Sequence, residues 1–320
     1  MDTAVVLQPA ESPLLQAVGH TPLIDLRLGR ELNPFVRLFA KLESANPGGS
    51  YKDRPAARML LQAYVDGRFE DGRRLLECVS GNAGISFAML GAALGINVTL
   101  VVSGHASQEQ IDRMAAHGAE LILMDPLIEE KDAQAEVTRL MEVFPTRYWR
   151  CDQLHNPANW QSHYYGTAAE ALAQLDEAGM PPPDAVVVGV DTGGTLTGMG
   201  RRLREANSNI HIALVVPWGF AGFEGWRPLS RLSDANPALL NQSLVHERIP
   251  VTQEEARVVC RWLAHEGLFV GPTSGAYVRG ALKLASTGKY GSVLTLLPDT
   301  GERYTSTGMW HRNMVRGEFA

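Results

Sequence analysis

The chain has 320 residues, 45% hydrophobic and 20% charged, with a formal net charge of -6. That is the balance of a globular protein long enough for two domains. No lysine- or arginine-rich run offers a footprint for a phosphate backbone, so nucleic acid is not an expected partner. The three cysteines, Cys78, Cys151 and Cys260, lie far apart. An odd number cannot all pair within one chain, and no Cys/His metal spacing appears, so reduced thiols and no metal site are expected. The start "MDTAVVLQPAESP" has no basic stretch leading into an apolar one, and no apolar segment is long enough to span a bilayer. The expectation is a cytoplasmic protein with no membrane segment.

Strand-like and helix-like stretches alternate along the chain. "RLFAKLE" (Arg37 to Glu43) reads as a strand, and "KDRPAARMLLQAYVDG" as a helix ending near Gly67. "RRLLECV" is a short apolar strand, and "AGISFAMLGAALG" an apolar helix closed by Gly95. "NVTLVVS", "SQEQIDRMAAHG" and "AELILMD" continue as strand, helix and strand. The rhythm resumes after Trp149 with the helix "ALAQLDEAG" and the strand "DAVVVGV". "LTGMGRRLREANS" follows as a helix and "HIALVVP" as a strand. "TQEEARVVCRWLAHEG" is a helix that Thr252 can cap, with Glu254 and Glu255 near its positive end. "SVLTLLPD" is the last buried strand, and Phe220 to Val251 reads as a long loop with short helical pieces. Continuous apolar strands alternating with helices predict an α/β fold with mostly parallel, doubly wound sheets.

Four polar glycine turns sit at strand ends: "VSGNAG", "VDTGGTLTG", "VGPTSGA" and "LPDTGERY". In a doubly wound sheet such turns gather on one edge, where ligands bind. The turn beginning at Asp191 can hold a phosphate on backbone N–H groups at a helix start, although its spacing is not that of a nucleotide-binding loop. "NPGGSYKDRPA" delivers one lysine, Lys52, at another glycine turn and helix start. Alone, Lys52 reads as a surface ion-pair partner of Asp53. Beside a phosphate turn it reads as a Schiff-base lysine whose amine the positive helix end helps to keep neutral.

These motifs, in this order, resemble the cysteine synthase / cystathionine β-synthase family of fold-type-II pyridoxal 5'-phosphate enzymes. The resemblance runs from "VGHTPLIDL" through "KLESANPGGSYKDRPA" and "DQLHNPANWQSHYYGTAAE" to "LPDTGERYTST", nearly the whole chain. It implies a tryptophan synthase β-like fold with two domains. Residues 46–152 would form a smaller, mobile domain that closes on substrate, and 1–45 plus 153–320 a larger cofactor-binding domain. It also implies a homodimer.

By position, Lys52 would carry the cofactor and act as base at the substrate's α-carbon. Asn82 would bond the cofactor's ring oxygen, Thr192, Gly193, Gly194 and Thr195 would cradle its phosphate, and Thr273 would face its pyridine nitrogen. Ser80, Gly81, Ala83 and Gln153 would hold the substrate carboxylate. The implied reaction is β-replacement on an activated L-serine, O-phospho-L-serine or O-acetyl-L-serine, through an aminoacrylate.

The chain departs from the family in three places. Val79 and Ala83 stand where the carboxylate loop usually has threonines, and Asp191 stands where the phosphate turn usually begins with glycine. A carboxylate facing a phosphate is unfavourable, so the Asp191 side chain is expected to turn toward a cation or a substrate amine. The third is "WGFAGFEGWRPLSRLSDANP", which replaces the family's substrate-entrance loop and brings Trp226, Arg227, Arg231 and Asp234. Arg231 is a candidate substrate contact. "NWQSHYYG" and "GGSYKDRPA" resemble the 2,3-diaminopropionate-pathway N-(2-amino-2-carboxyethyl)-L-glutamate synthases, which implies an amine nucleophile and a specialised amino-acid product. The competing readings are a cysteine synthase using sulfide, a catalytically weak cofactor-binding regulatory partner, and a serine or threonine dehydratase.

Overall fold

The computed structural model describes residues 12–28, 33–104, 106–125, 130–219, 237–307 and 309–310. Its strands, in chain order, are β1 (Leu23–Asp25), β2 (Arg37–Leu42), β3 (Arg74–Val79), β4 (Val98–Val102), β5 (Glu120–Leu123), β6 (Tyr148–Arg150), β7 (Ala185–Gly189), β8 (His211–Pro217), β9 (Glu247–Val251) and β10 (Ser292–Leu297). The helices are α1 (Pro13–Gln16), α2 (Asp53–Val65), α3 (Asn82–Leu94), α4 (Gln108–Ala116), α5 (Glu130–Val143), α6 (Ala158–Ser162), α7 (Ala169–Glu177), α8 (Gly194–Ala206), α9 (Gln253–His265) and α10 (Pro272–Ala285). A π-type stretch, His163–Ala168, joins α6 to α7.

The strands form two sheets, ordered β1-β2-β10-β7-β8-β9 and β5-β4-β3-β6. Every pairing is parallel except β1 with β2. β4, β7 and β10 are buried at every residue, as strands covered on both faces must be. α3 is apolar nearly all round and accordingly buried nearly all round. α4 and α9 start on capping boxes, Ser107 with Gln110 and Thr252 with Glu255, so the predicted Thr252 cap is present. Each sheet has its own apolar core.

Three short strands carry no clear sequence signal. β1 and β6 have three residues each. β9 falls at the end of the stretch read as loop, and it pairs parallel with β8. It is an edge strand, exposed at three of five positions, and an edge tolerates its Pro250. α5 also escapes the strand–helix reading. Residues 220–236, including Trp226, Arg227, Arg231 and Asp234, lie outside the described residues.

Both sheets have a point where chain order reverses. In the smaller sheet, β3 sits between β4 and the later β6; in the larger, β7 sits between β8 and the later β10. Crevices at such switch points, beyond the carboxyl ends of the strands, are where open α/β sheets take ligands. The turns after β3, β6, β7 and β10 therefore open onto the two crevices.

One buried charge network ties these parts together. Arg54, on the first turn of α2, donates from Nε to Glu43 Oε2 at 2.6 Å and from Nη1 and Nη2 to Glu170 Oε1 and Oε2 at 2.7 Å each. Nη2 also reaches Thr21 Oγ1 at 3.0 Å. Lys41, fully buried on β2, donates to the same Glu170 at 2.9 Å and to the Thr21 carbonyl at 2.5 Å. Burial would push Arg54 down, but Glu43 and Glu170 hold its charge and raise it. Two cations thus face two carboxylates, and removal of one strands its partners. Arg54→Ala is expected to destabilise the fold by roughly 3–5 kcal/mol, read as a shift of the urea midpoint.

Candidate active site

Lys52 comes after β2, where the short 3-10 turn Glu43–Ala45 leads into the glycine turn. Gly49 takes a positive φ of 76°. The turn is stitched to the end of β10 by a bridge between Ser50 and Asp299 and by a bond from Tyr51 N–H to the Pro298 carbonyl at 2.9 Å. Lys52 is the N-cap residue of α2 and is 6% exposed.

Asp53 is not its partner. The Asp53 carboxylate turns inward and accepts from Gly48 N–H and Ser86 Oγ, each at 2.5 Å. Burial pushes it up to about 6 in spite of those bonds. Lys52 Nζ instead donates to Asp191 Oδ2 at 2.8 Å. The helix end is therefore not the only field on this amine, and the expected turn of Asp191 toward a cation is fulfilled by Lys52 itself. The Tyr51 ring centroid stands 5.2 Å from Nζ.

The turn after β7 runs from Asp191 into α8. Gly193 sits at φ +88°, and a Cβ there would meet Leu240 N at 2.5 Å. A Cβ on Gly194 would lie 2.1 Å from Asn159 Oδ1 and 3.3 Å from Trp160 N. Asn159 is held in turn, donating to the Gln153 carbonyl at 2.8 Å and to Thr192 Oγ1 at 3.2 Å. Both glycines are thus fixed by close approach at the positive end of α8; Gly194 N–H bonds Thr192 Oγ1 at 3.3 Å and Thr197 N–H the Gly193 carbonyl at 3.1 Å, and the helix start as a whole favours an anion. Thr195 Oγ1 lies 3.3 Å from His163 Nε2. Burial, with Arg54 and Lys52 nearby, pushes His163 well below its usual range, so it is a neutral partner.

Asn82, at the start of α3, is gripped on both sides. Its Nδ2 donates to Asp299 Oδ2 at 2.7 Å, and Arg303 donates to its Oδ1. Arg303 also donates to the Gly48 carbonyl, beside Lys52. Tyr304 shares Asp299 Oδ2. Gln153 donates from Nε2 to the Cys78 carbonyl at 2.8 Å, and its N–H reaches Glu77 Oε2 at 3.3 Å. Gly81, Ala83 and Thr273 are buried, and Ser80 is half-buried at the end of β3.

The described candidate residues thus gather around the two crevices, while Arg231 falls outside the described residues. Asn159 and His163, from "NWQSHYYG", Asp299 and Arg303, from "LPDTGERY", and Glu77, on β3, join them. The segment after β10 also reaches the start of α4, where Ser107 Oγ donates to the Arg303 carbonyl at 2.6 Å. Glu109 accepts from Ser306 N–H and Ser306 Oγ at 2.7 Å each. Burial would push Glu109 up, but bonds from Thr305 and Ser306 hold it down at about 2.

The residues fit pyridoxal phosphate. There is a glycine cradle at a helix start for the phosphate and a buried amine for the aldehyde. Ser274 Oγ and Asp299 Oδ1 are buried polar atoms with no hydrogen-bond partner among the described residues, which polar groups of a ligand would satisfy.

The family model described as "Pyridoxal-phosphate dependent enzyme" matches residues 14–299. A cysteine synthase of Aquifex aeolicus (strain VF5) is 38% identical over 309 residues, 94% of this chain and 93% of that one. Among solved structures, O-ureido-L-serine synthase is similar with a TM-score of 0.85 at 33% identity, covering 95% of this chain and 96% of that one. A cysteine synthase from Entamoeba histolytica gives 0.85 at 30% identity, with 98% and 94% covered. The chain belongs to the pyridoxal-phosphate dependent enzymes. Within them it is a cysteine synthase-like transferase with two mostly parallel sheets. Among the described residues no helix is long and apolar enough to cross a membrane, and no cluster of His, Cys, Asp or Glu is arranged to hold a metal.

Gly194→Ala is expected to weaken pyridoxal phosphate binding by about tenfold or more through overpacking against Asn159, read by equilibrium dialysis. Glu77 makes a pH prediction. Burial pushes its carboxyl up to about 7, against the pull of Arg150. The folded chain then holds a proton that the unfolded chain releases near 4.5. Stability is full below that value and falls as pH rises toward about 7. Glu77→Gln is expected to flatten this fall in urea midpoints taken across the same window.

Proposed function

We propose that this protein catalyses β-replacement on an activated L-serine, with O-phospho-L-serine or O-acetyl-L-serine as donor and an amine as nucleophile. The product is a specialised amino acid of the 2,3-diaminopropionate type. Pyridoxal phosphate, when bound, supplies the electron sink that makes the α-proton acidic and the β-substituent a leaving group. Lys52 holds the cofactor and moves the proton at the substrate's α-carbon. Thr192, Gly193, Gly194 and Thr195 hold the phosphate, Asn82 orients the ring oxygen, and Thr273 meets the ring nitrogen. A neutral hydroxyl there draws less charge into the ring than a carboxylate would, which favours elimination over transamination.

Ser80, Gly81, Ala83 and Gln153 receive the substrate carboxylate through backbone N–H groups and the Gln153 amide. We assign residues 46–152 to the smaller domain, whose closure excludes water from the site. The separate four-stranded sheet and its own apolar core support that division.

The observation that carries the amine reading is the meeting of two segments. Tyr51, beside Lys52 in "GGSYKDRPA", packs on His163 of "NWQSHYYG" with ring centroids 5.9 Å apart. Arg58, two residues past the first stretch, lies over Tyr165 at 4.9 Å and bonds Gln161 at 3.3 Å. The two stretches that resemble the amine-using branch thus form one wall beside Lys52. O-ureido-L-serine synthase, by its name, makes a serine derivative other than cysteine. The second reading, a cysteine synthase using sulfide, is favoured by the identity with the Aquifex aeolicus protein.

The test is a visible-absorbance titration of the loaded protein with each donor. One donor is expected to red-shift the spectrum, and an amine to reverse the shift faster than sulfide does. Lys52→Ala is expected to lose both the covalently held cofactor and the response. Reversal by sulfide alone would leave the second reading standing, and no response to either donor would defeat both.

A further inference from the structure

Asp191 is the residue of the site that the resemblance does not explain. It lies at the first position of the phosphate turn, where the family usually has glycine, and its carboxylate touches the lysine that carries the cofactor. The contact is an ion pair of 2.8 Å, with side chains only 7% and 11% exposed. The Tyr51 ring centroid lies 5.2 Å from the same amine. Tyr277 is buried, and burial together with the charges of Tyr51 and Asp191 pushes its phenol well up.

We infer that Asp191 is a charge filter for the second substrate: it favours a protonated amine and disfavours the sulfide anion. The inference rests on the amine reading above for the identity of the favoured nucleophile. Two anions, the cofactor phosphate on the turn and the Asp191 carboxylate, would then face the reacting centre in a poorly solvated space. An approaching anion is repelled there and a cation is drawn in.

The same carboxylate answers a chemical need that sulfide does not have. At neutral pH an amine arrives with its lone pair occupied by a proton. That proton passes to Asp191, and the freed pair forms the bond from nitrogen to the substrate's β-carbon. The carbon–oxygen bond to acetate or phosphate has broken beforehand, its electron pair leaving on oxygen as Lys52 takes the α-proton, and after nitrogen bonds the β-carbon Lys52 returns that proton to the α-carbon. Hydrosulfide already carries a free pair and needs no acceptor. Lys52 is a cation beside the carboxylate; a substrate ammonium takes that position when Lys52 is engaged with the cofactor and the α-carbon.

The experiment compares wild type with Asp191→Gly and Asp191→Asn by two readouts. The first is the equilibrium affinity of the cofactor-free protein for pyridoxal phosphate. Removing a negative charge beside the phosphate cradle is expected to tighten it by about tenfold. A merely structural role would weaken it. The second is the ratio of rates with methylamine and with sulfide in the presence of the donor, expected to move toward sulfide by at least about tenfold in both variants. Affinity that is unchanged or weaker, or a ratio that does not move, overturns the inference. If wild type uses sulfide and not methylamine, yet both variants use sulfide faster and bind cofactor more tightly, the filter stands and the amine reading falls. If wild type uses methylamine and the variants keep its ratio, the amine reading stands and the filter falls.

Discussion

The constraint on which the site depends is the buried pairing of Arg54 with Glu43 and Glu170. These three residues come from the start of α2, the turn after β2 and α7. A guanidinium held by five bonds in a planar fork leaves a helix little freedom to rotate or slide. Lys52 lies two residues earlier on the same backbone. Its amine is thus aimed by a network it does not belong to, and by Asp53, whose carboxylate cinches the glycine turn through Gly48 and Ser86. Desolvating so many charges is costly in stability. The return is an amine held at the carboxyl edge of the larger sheet, between the turns that follow β7 and β10.

Much of this was legible in the sequence, and for definite reasons. The apolar runs that became β4, β7 and β10 are buried on both faces, so every residue repeats one message. Three of the four polar glycine turns do follow parallel strands, β3, β7 and β10, but on two sheets rather than one edge, and the fourth follows α9 instead of a strand. Gly193 and Gly194 were readable because close backbone approach admits no other residue. β9 was missed because half its side chains face water and it contains proline, so its pattern does not differ from a loop. β1 and β6 were missed because three residues are too few for any period to show.

The partners of the site were less visible for another reason. Asn159 and His163 sit in "NWQSHYYG" and Arg303 in "LPDTGERY", but those motifs do not say which distant group each side chain meets, and Glu77 sits on an apolar strand with nothing beside it to mark it. The Asp191–Lys52 pair stood between these cases. The misfit of a carboxylate on a phosphate turn could be read from the turn itself, and a cationic partner could be expected, but only the fold identified it as Lys52. The partner first considered for Lys52, Asp53, was adjacent in sequence and faces the other way, because consecutive residues at a helix start point in different directions.

The run Lys52, Asp53, Arg54 has a further consequence, for how the gene can vary. Three neighbouring side chains are committed to three separate sets of partners: Asp191, then Gly48 with Ser86, then Glu43 with Glu170 and Thr21. Their spacing is set by the helical rotation between successive residues, about 100°. An added or deleted codon within this stretch would turn all three sets away from their partners at once. Codon insertions and deletions should therefore be purged here and tolerated in the exposed turn around Gly72, where an added side chain meets nothing within 4 Å. The lysine segment would keep its length through lineages whose surface loops lengthen and shorten freely.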